Sequence, residues 1–160
     1  MSTERHATIN EQVADLKARL QGLGIFQDVL VCKSTSLQRL LDIIQTLALL
    51  PAAILVIGPA EYPDADPDAP PQRDRVIEPG IVVVGEYSAD TDAGDADVWD
   101  LVDAVDRSFT PPAAAPNTLV SINDVEYTPL SMVPLNAGED RSAYMLTLRA
   151  IDCVISRSDV

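Results

Sequence analysis

Residues 47–58, LALLPAAILVIG, and residues 73–87, RDRVIEPGIVVVGEY, decide how this chain is read. The first opens on the end of a leucine-rich segment. It breaks at Pro51, because proline disfavours helical backbone at the residue before it. It then runs on as AILVI at 53–57, apolar without interruption. A run of that kind suits a strand buried on both faces, not one with a wet side. The second segment carries four consecutive β-formers, Ile81 to Val84, and predicts a long strand over 73–77 and 80–87, kinked at Pro79-Gly80. Two such strands close in sequence and linked by a loop argue for antiparallel pairing.

Working towards the N-terminus, Leu37, Leu40, Leu41, Ile44, Leu47 and Ala48 make a helical stripe that Pro51 should end. Ser34, Thr35 or Ser36 can cap it. Residues 25–32, IFQDVLVC, read as a short strand. Before them, Ile9, Val13, Leu16, Leu20 and Leu23 recur at helical spacing, which predicts an amphipathic helix over 10–21 stopped by Gly22 and Gly24.

Working towards the C-terminus, Val98, Trp99, Leu101, Val102, Val105 and Phe109 predict a third helix begun by Asp95 or Asp97, whose carboxylates suit its positive end. Trp99 lies beside the stripe and is either a core residue or an interface anchor. A proline–alanine linker over 110–117 leads to three closing strands, 118–122, 125–133 and 142–155. A tight turn at Asn123-Asp124 and a looser one over 136–140 separate them. The expected architecture is α+β: a single domain, 1–160, with one mostly antiparallel sheet and helices packed on it. Residues 1–8 are expected to be a mobile N-terminus, and 59–75 and 88–96 acidic loops. The segment 59–72 holds five prolines and four acidic residues.

The charge is lopsided. The 160 residues carry 25 carboxylates against 11 Lys and Arg, a formal net charge of −14. Residues 61–106 alone hold 14 acidic and 2 basic side chains. Nucleic-acid binding needs clustered cations that release counterions from phosphates. Here only Arg73 and Arg75 stand close together, so neither specific nucleic-acid binding nor attachment to an anionic membrane is expected. The acidic region serves solubility or forms a negative face, for example one lining a channel through which DNA slides without sticking. No apolar stretch reaches the roughly 20 residues of a membrane span, and the polar start has no secretory core.

The sequence offers no catalytic constellation. Its single histidine, His6, falls in the expected mobile terminus, a poor platform for a base that must be held beside a nucleophile. Cys32 and Cys153 lie in apolar, strand-like stretches and read as buried thiols, too few for a zinc site with one histidine. Asp64, Asp66 and Asp68 imitate the start of a calcium loop, but Ala69 and Arg75 stand where the turn glycine and the bidentate glutamate belong. Asp90, Asp92, Asp95 and Asp97 are equally dense, with Leu101 at the last ligand position. The glycines Gly22, Gly24, Gly80 and Gly85 do not form a phosphate cradle. No catalytic, cofactor-binding or metal residue is therefore assigned, and no cofactor is expected.

The succession from 47 to 154 has a family likeness. A leucine-rich helix ends in LALLPAAILVIG. A proline-rich loop precedes RDRVIEPGIVVVGEY. An acidic helix, DVWDLVDAVDRSF, leads through a linker to paired strands closing in YMLTLRAIDC. This resembles the tail-terminator, or tail-completion, proteins of long-tailed phages and related contractile particles, over roughly two-thirds of the chain. The acidic insertions are more extreme than the family pattern. The resemblance implies a non-enzymatic subunit that associates with itself into a ring, usually a hexamer. Its partners would be the tail tube protein and the head–tail connector. Its location would be the virion or tail-like particle, reached from the bacterial cytoplasm during assembly. The alternatives are another head–tail connector or minor tail protein, or a cytoplasmic enzyme with a carboxylate site.

Overall fold

A computed structural model describes residues 8–33, 36–61, 72–87, 96–110, 120–122, 125–135 and 140–155. Helix α1 spans Ile9–Gly22. Thr8 begins it, its hydroxyl accepting from the Glu11 amide at 3.1 Å, which satisfies one of the amides that a helix start leaves without an internal partner. Thr8 is thus a cap, not part of a mobile terminus. Gly24, at φ +69°, reverses the chain after the helix, a conformation in which a side chain would be strained.

Strand β1 covers Asp28–Cys32 and helix α2 Leu37–Thr46. Of the three expected caps, Ser36 serves, accepting from the Arg39 amide at 3.4 Å. The helix does not run to the proline. It stops at Thr46, and Leu47 is already extended with ψ 127°. The cause is tertiary. The Arg141 guanidinium donates to the Ile44 and Leu47 carbonyls at 2.7 and 2.6 Å and so takes up carbonyls that the helix end leaves open. Leu37 and Ala48, placed in the stripe by spacing, are exposed; Leu40, Ile44 and Leu47 are the residues of the stripe that are buried.

Strand β2 runs over Ala52–Glu61 and β3 over Gln72–Glu86. Residues 59–61 and 72, expected in an acidic loop, thus belong to strands, and 73–75, placed in both the loop and the strand over 73–77, are strand. Two long apolar strands paired to each other and to a third extend the ladder past the point where composition turns polar. The remaining residues of that loop, 62–71, lie outside the described part. The expected kink at Pro79 takes the form of a bulge: β2 and β3 pair up to Ile57↔Pro79 and resume at Ala60↔Ile77, so β2 holds one residue more. Gly58 sits in that bulge. A Cβ there would lie 2.5 Å from the Glu78 carbonyl oxygen, so glycine is required by the close approach of two backbones.

Helix α3 spans Ala96–Ser108, one residue into the expected second acidic loop. Strands β4 (Val120–Ile122), β5 (Val125–Leu135) and β6 (Arg141–Ile155) close the chain. Ile122 pairs with Val125, the register of a two-residue hairpin; Asn123 and Asp124 themselves lie outside the described residues.

Among the described residues the sheet has six strands, in the order β1-β2-β3-β6-β5-β4. Only β1–β2 is parallel, because α2 crosses between them; the other pairs are antiparallel. The fold is α+β, one mostly antiparallel sheet with helices packed on both faces. On one face Leu16 and Leu20 of α1, with Val98, Val102, Val105 and Phe109 of α3, cover Leu55, Val83, Leu146 and Leu148. On the other, α2 places Leu40 and Ile44 over Ala52, Ile54, Val82 and Val84. β2 is accordingly buried on both sides, with residues 52–55 fully inaccessible. Arg19 ties α1 to α3. Its guanidinium lies 5.1 Å from the centre of the Phe109 ring and donates to the Ser108 carbonyl. The Phe109 ring in turn meets Tyr127 edge-on, with centroids 5.9 Å apart.

Candidate interaction surface

Two helices on one face and one on the other leave the sheet unequally covered. β4 pairs only with Val125–Tyr127 of β5. Among the described residues, β5 has a neighbour from Thr128 to Leu135 on its β6 side alone. Proline has no N–H, and within sheets it is confined to edges and bulges. Pro129 and Pro134 lie opposite Leu148 and Tyr144 of β6, with Met132 opposite Leu146 between them. Antiparallel pairs alternate between bonded and non-bonded, so these three positions share one phase, with their backbone groups turned away from β6. Only Met132 of the three has an N–H to offer. The carbonyls of all three point outward.

The same segment exposes apolar side chains. Leu130 is 49 % accessible, Met132 41 % and Val133 40 %. Leu130 falls at a register shift between Pro129 and Ser131. Val133 stands opposite Met145, on the α2 face, and Met132 opposite Leu146, on the face of α1 and α3. The edge is thus apolar on both sides.

Trp99 flanks this edge. It is not a core residue: 52 % of it is accessible, and its indole N–H donates to the Tyr144 hydroxyl at 2.8 Å. Tyr144 is the partner of Pro134 across β6–β5. With its one donor satisfied, the ring presents mainly hydrocarbon to solvent, the form in which tryptophan anchors an interface. On the opposite face a groove of about 550 Å³ lies beside the start of α2, with Leu37, Leu40, Val56, Met145 and Thr147 in its walls and Glu78 at its rim.

Among the described residues, the chemistry-bearing side chains do not converge here. Cys32 is buried beneath α2. Cys153 is in β6 opposite Asp74, on a strand as expected, and its thiol lies outside the described side chains. His6, Asp64, Asp66, Asp68, Asp90, Asp92 and Asp95 lie outside the described residues. Asp97 is exposed in the first turn of α3. Among the described residues no three His, Cys, Asp or Glu side chains gather as a metal site would need, and no helix is long and apolar enough to cross a membrane. What this surface can do is bind protein, by apolar contact and by backbone acceptors. Sequence spacing did not reveal it. The signal that could have was Pro129 and Pro134 inside a strand. Comparison with protein-family models and with curated proteins gives no match for this chain.

Proposed function

We propose that this chain is a structural, non-enzymatic subunit of a phage tail or tail-like particle, one that forms a ring terminating the tail tube and contacting the head connector. The observation that carries the reading is the tail-terminator-like succession of motifs from LALLPAAILVIG to YMLTLRAIDC. The exposed Trp99, Met132 and Val133 support it, as a subunit that works through protein contacts needs such a surface. Ring subunits meet head to tail, and the contact closes by rotation. A charge of −14 per chain suits a lumen that lets DNA pass without adhering.

A ring of this kind stops tube growth only while it binds the tip better than another tube subunit does. Deleting the gene in a producing strain and imaging the particles tests the proposal. The expected result is overlong or ragged tubes without heads. Normal tails joined to heads would refute it. The ring's position in labelled particles separates a terminator from another connector or minor tail protein.

A further inference from the structure

Resting on that reading, we infer that copies join in the ring by seating Trp99 of one copy in the recess between β1 and α2 of the next. Trp99 stands out from α3 with 52 % of it accessible, and its indole N–H is already held by the Tyr144 hydroxyl. What it offers a partner is the face of the ring, framed by carboxylates. Asp103 follows one turn later on the same side of the helix and Asp100 adjoins Trp99 in the chain, and both are exposed. Arg107, in the last turn, is the only cation of α3. The helix thus presents an aromatic knob in an acidic surround.

The recess has the opposite character. It measures about 400 Å³, room enough for an indole, and among the described residues its wall is Val31, Cys32, Lys33, Arg39 and Ile43. Val31 and Ile43 give it an apolar lining, and Lys33 and Arg39 are exposed. In a chain with 11 basic residues against 25 acidic ones, two exposed cations at one apolar recess mark a place where an acidic knob is attracted and not repelled. A guanidinium can stack on an indole face, and both cations can pair with the carboxylates around it. A second copy supplies both halves of this match. Position agrees with a ring. β1 begins the strand order, whereas Trp99 bonds to β6, beyond β2 and β3, and α2 and α3 lie on opposite faces of the sheet. Knob and recess of one copy therefore cannot meet, and each contact leaves one of each unused. Such a heterologous contact repeats until rotation closes it.

Trp99 is the chain's single tryptophan, so its fluorescence reports the contact directly. The test uses the full chain in about 0.15 M salt, where charges more than about 8 Å apart are screened and those in contact are not. By sedimentation up to about 1 mM, the wild type should form an oligomer larger than a dimer. Trp99 emission should move to shorter wavelength over the same range, as the ring leaves water. Reversing the charge of the knob (Asp100→Lys with Asp103→Lys) or of the recess (Lys33→Glu with Arg39→Glu), all at exposed positions, should abolish both signals. An equimolar mixture of the two variants should restore them. The basic knob of one then meets the acidic recess of the other, and the unchanged knob and recess also match. A variant that assembles as the wild type does, an oligomer with unshifted emission, or a mixture that stays monomeric would each overturn the inference. A monomeric wild type would overturn it too and leave Trp99 to a different protein. If a double variant does not fold, the single changes Asp103→Lys and Arg39→Glu take its place. Overlong tubes on deleting the gene, with variants that still assemble, would refute this contact while leaving the ring.

Discussion

Arg141 reaches from the first position of β6 to two carbonyls at the end of α2, 94 and 97 residues away in the chain. A planar guanidinium can serve both acceptors at once, whereas an ammonium is a single point of charge. The partly buried contact also places a cation at the negative end of a helix. Hydrogen bonds from charged donors contribute roughly 1.5 to 3 kcal/mol each. The contact is only partly buried, which lowers the sum for two bonds, so Arg141→Ala should destabilise the fold by about 2 to 4 kcal/mol, read as a lower midpoint in urea. Arg141→Lys should recover less than half of that. An alanine variant within about 0.5 kcal/mol of the wild type, the range of ordinary surface substitutions, would show that the contact is incidental. Spacing could not foretell this residue, since an isolated arginine at the start of a strand carries no sign of its partner.

At the scale of elements, β5 departs most from a regular strand. Its prolines keep an apolar edge from templating further strands, as edge strands generally require. Replacing both (Pro129→Thr with Pro134→Thr) restores outward donors while keeping a residue that favours strands. The expected outcome is open-ended association, seen as light scattering at protein concentrations where the wild type stays clear. Unchanged scattering would show that the prolines do not guard the edge. The helices were legible from the sequence because their faces bury leucine and valine at regular intervals. Their ends were less so. α1 begins one residue early on the Thr8 cap, and α2 stops short of Pro51 because a residue of another strand completes it. Both strands flanking residues 62–71 reach further into the acidic, proline-rich segment than composition indicates, since ladder pairing between neighbours outweighs local polarity.

At the scale of the whole molecule, charge decides what the protein avoids. With −14 overall and its cations dispersed, it should not bind DNA appreciably at physiological salt. Non-specific DNA binders reach dissociation constants of about 10⁻⁴ to 10⁻⁶ M under those conditions. In a mobility-shift titration the chain should leave DNA unshifted through about 10⁻⁶ M. Salt-sensitive binding tighter than that would reveal a cationic surface the sequence does not suggest. The acidity also bears on assembly, because like charges must be offset by local complementarity before copies can meet.

The sequence by itself determined the elements and their class. Helical stripes, the apolar runs at 53–57 and 81–84, and the punctuation by proline and glycine are local signals, read within a few residues of where they act. They specified three helices, the strands and a mostly antiparallel sheet, and the charge count was there to be added up. Only the tertiary structure decided that β6 inserts between β3 and β5, that β4 pairs with the first residues of β5, and that Trp99 faces solvent beside Tyr144. The physical reason is that strand order and edge exposure depend on which distant backbones pair. Each strand's own residues record which of its faces are apolar, but not which neighbour takes its hydrogen bonds.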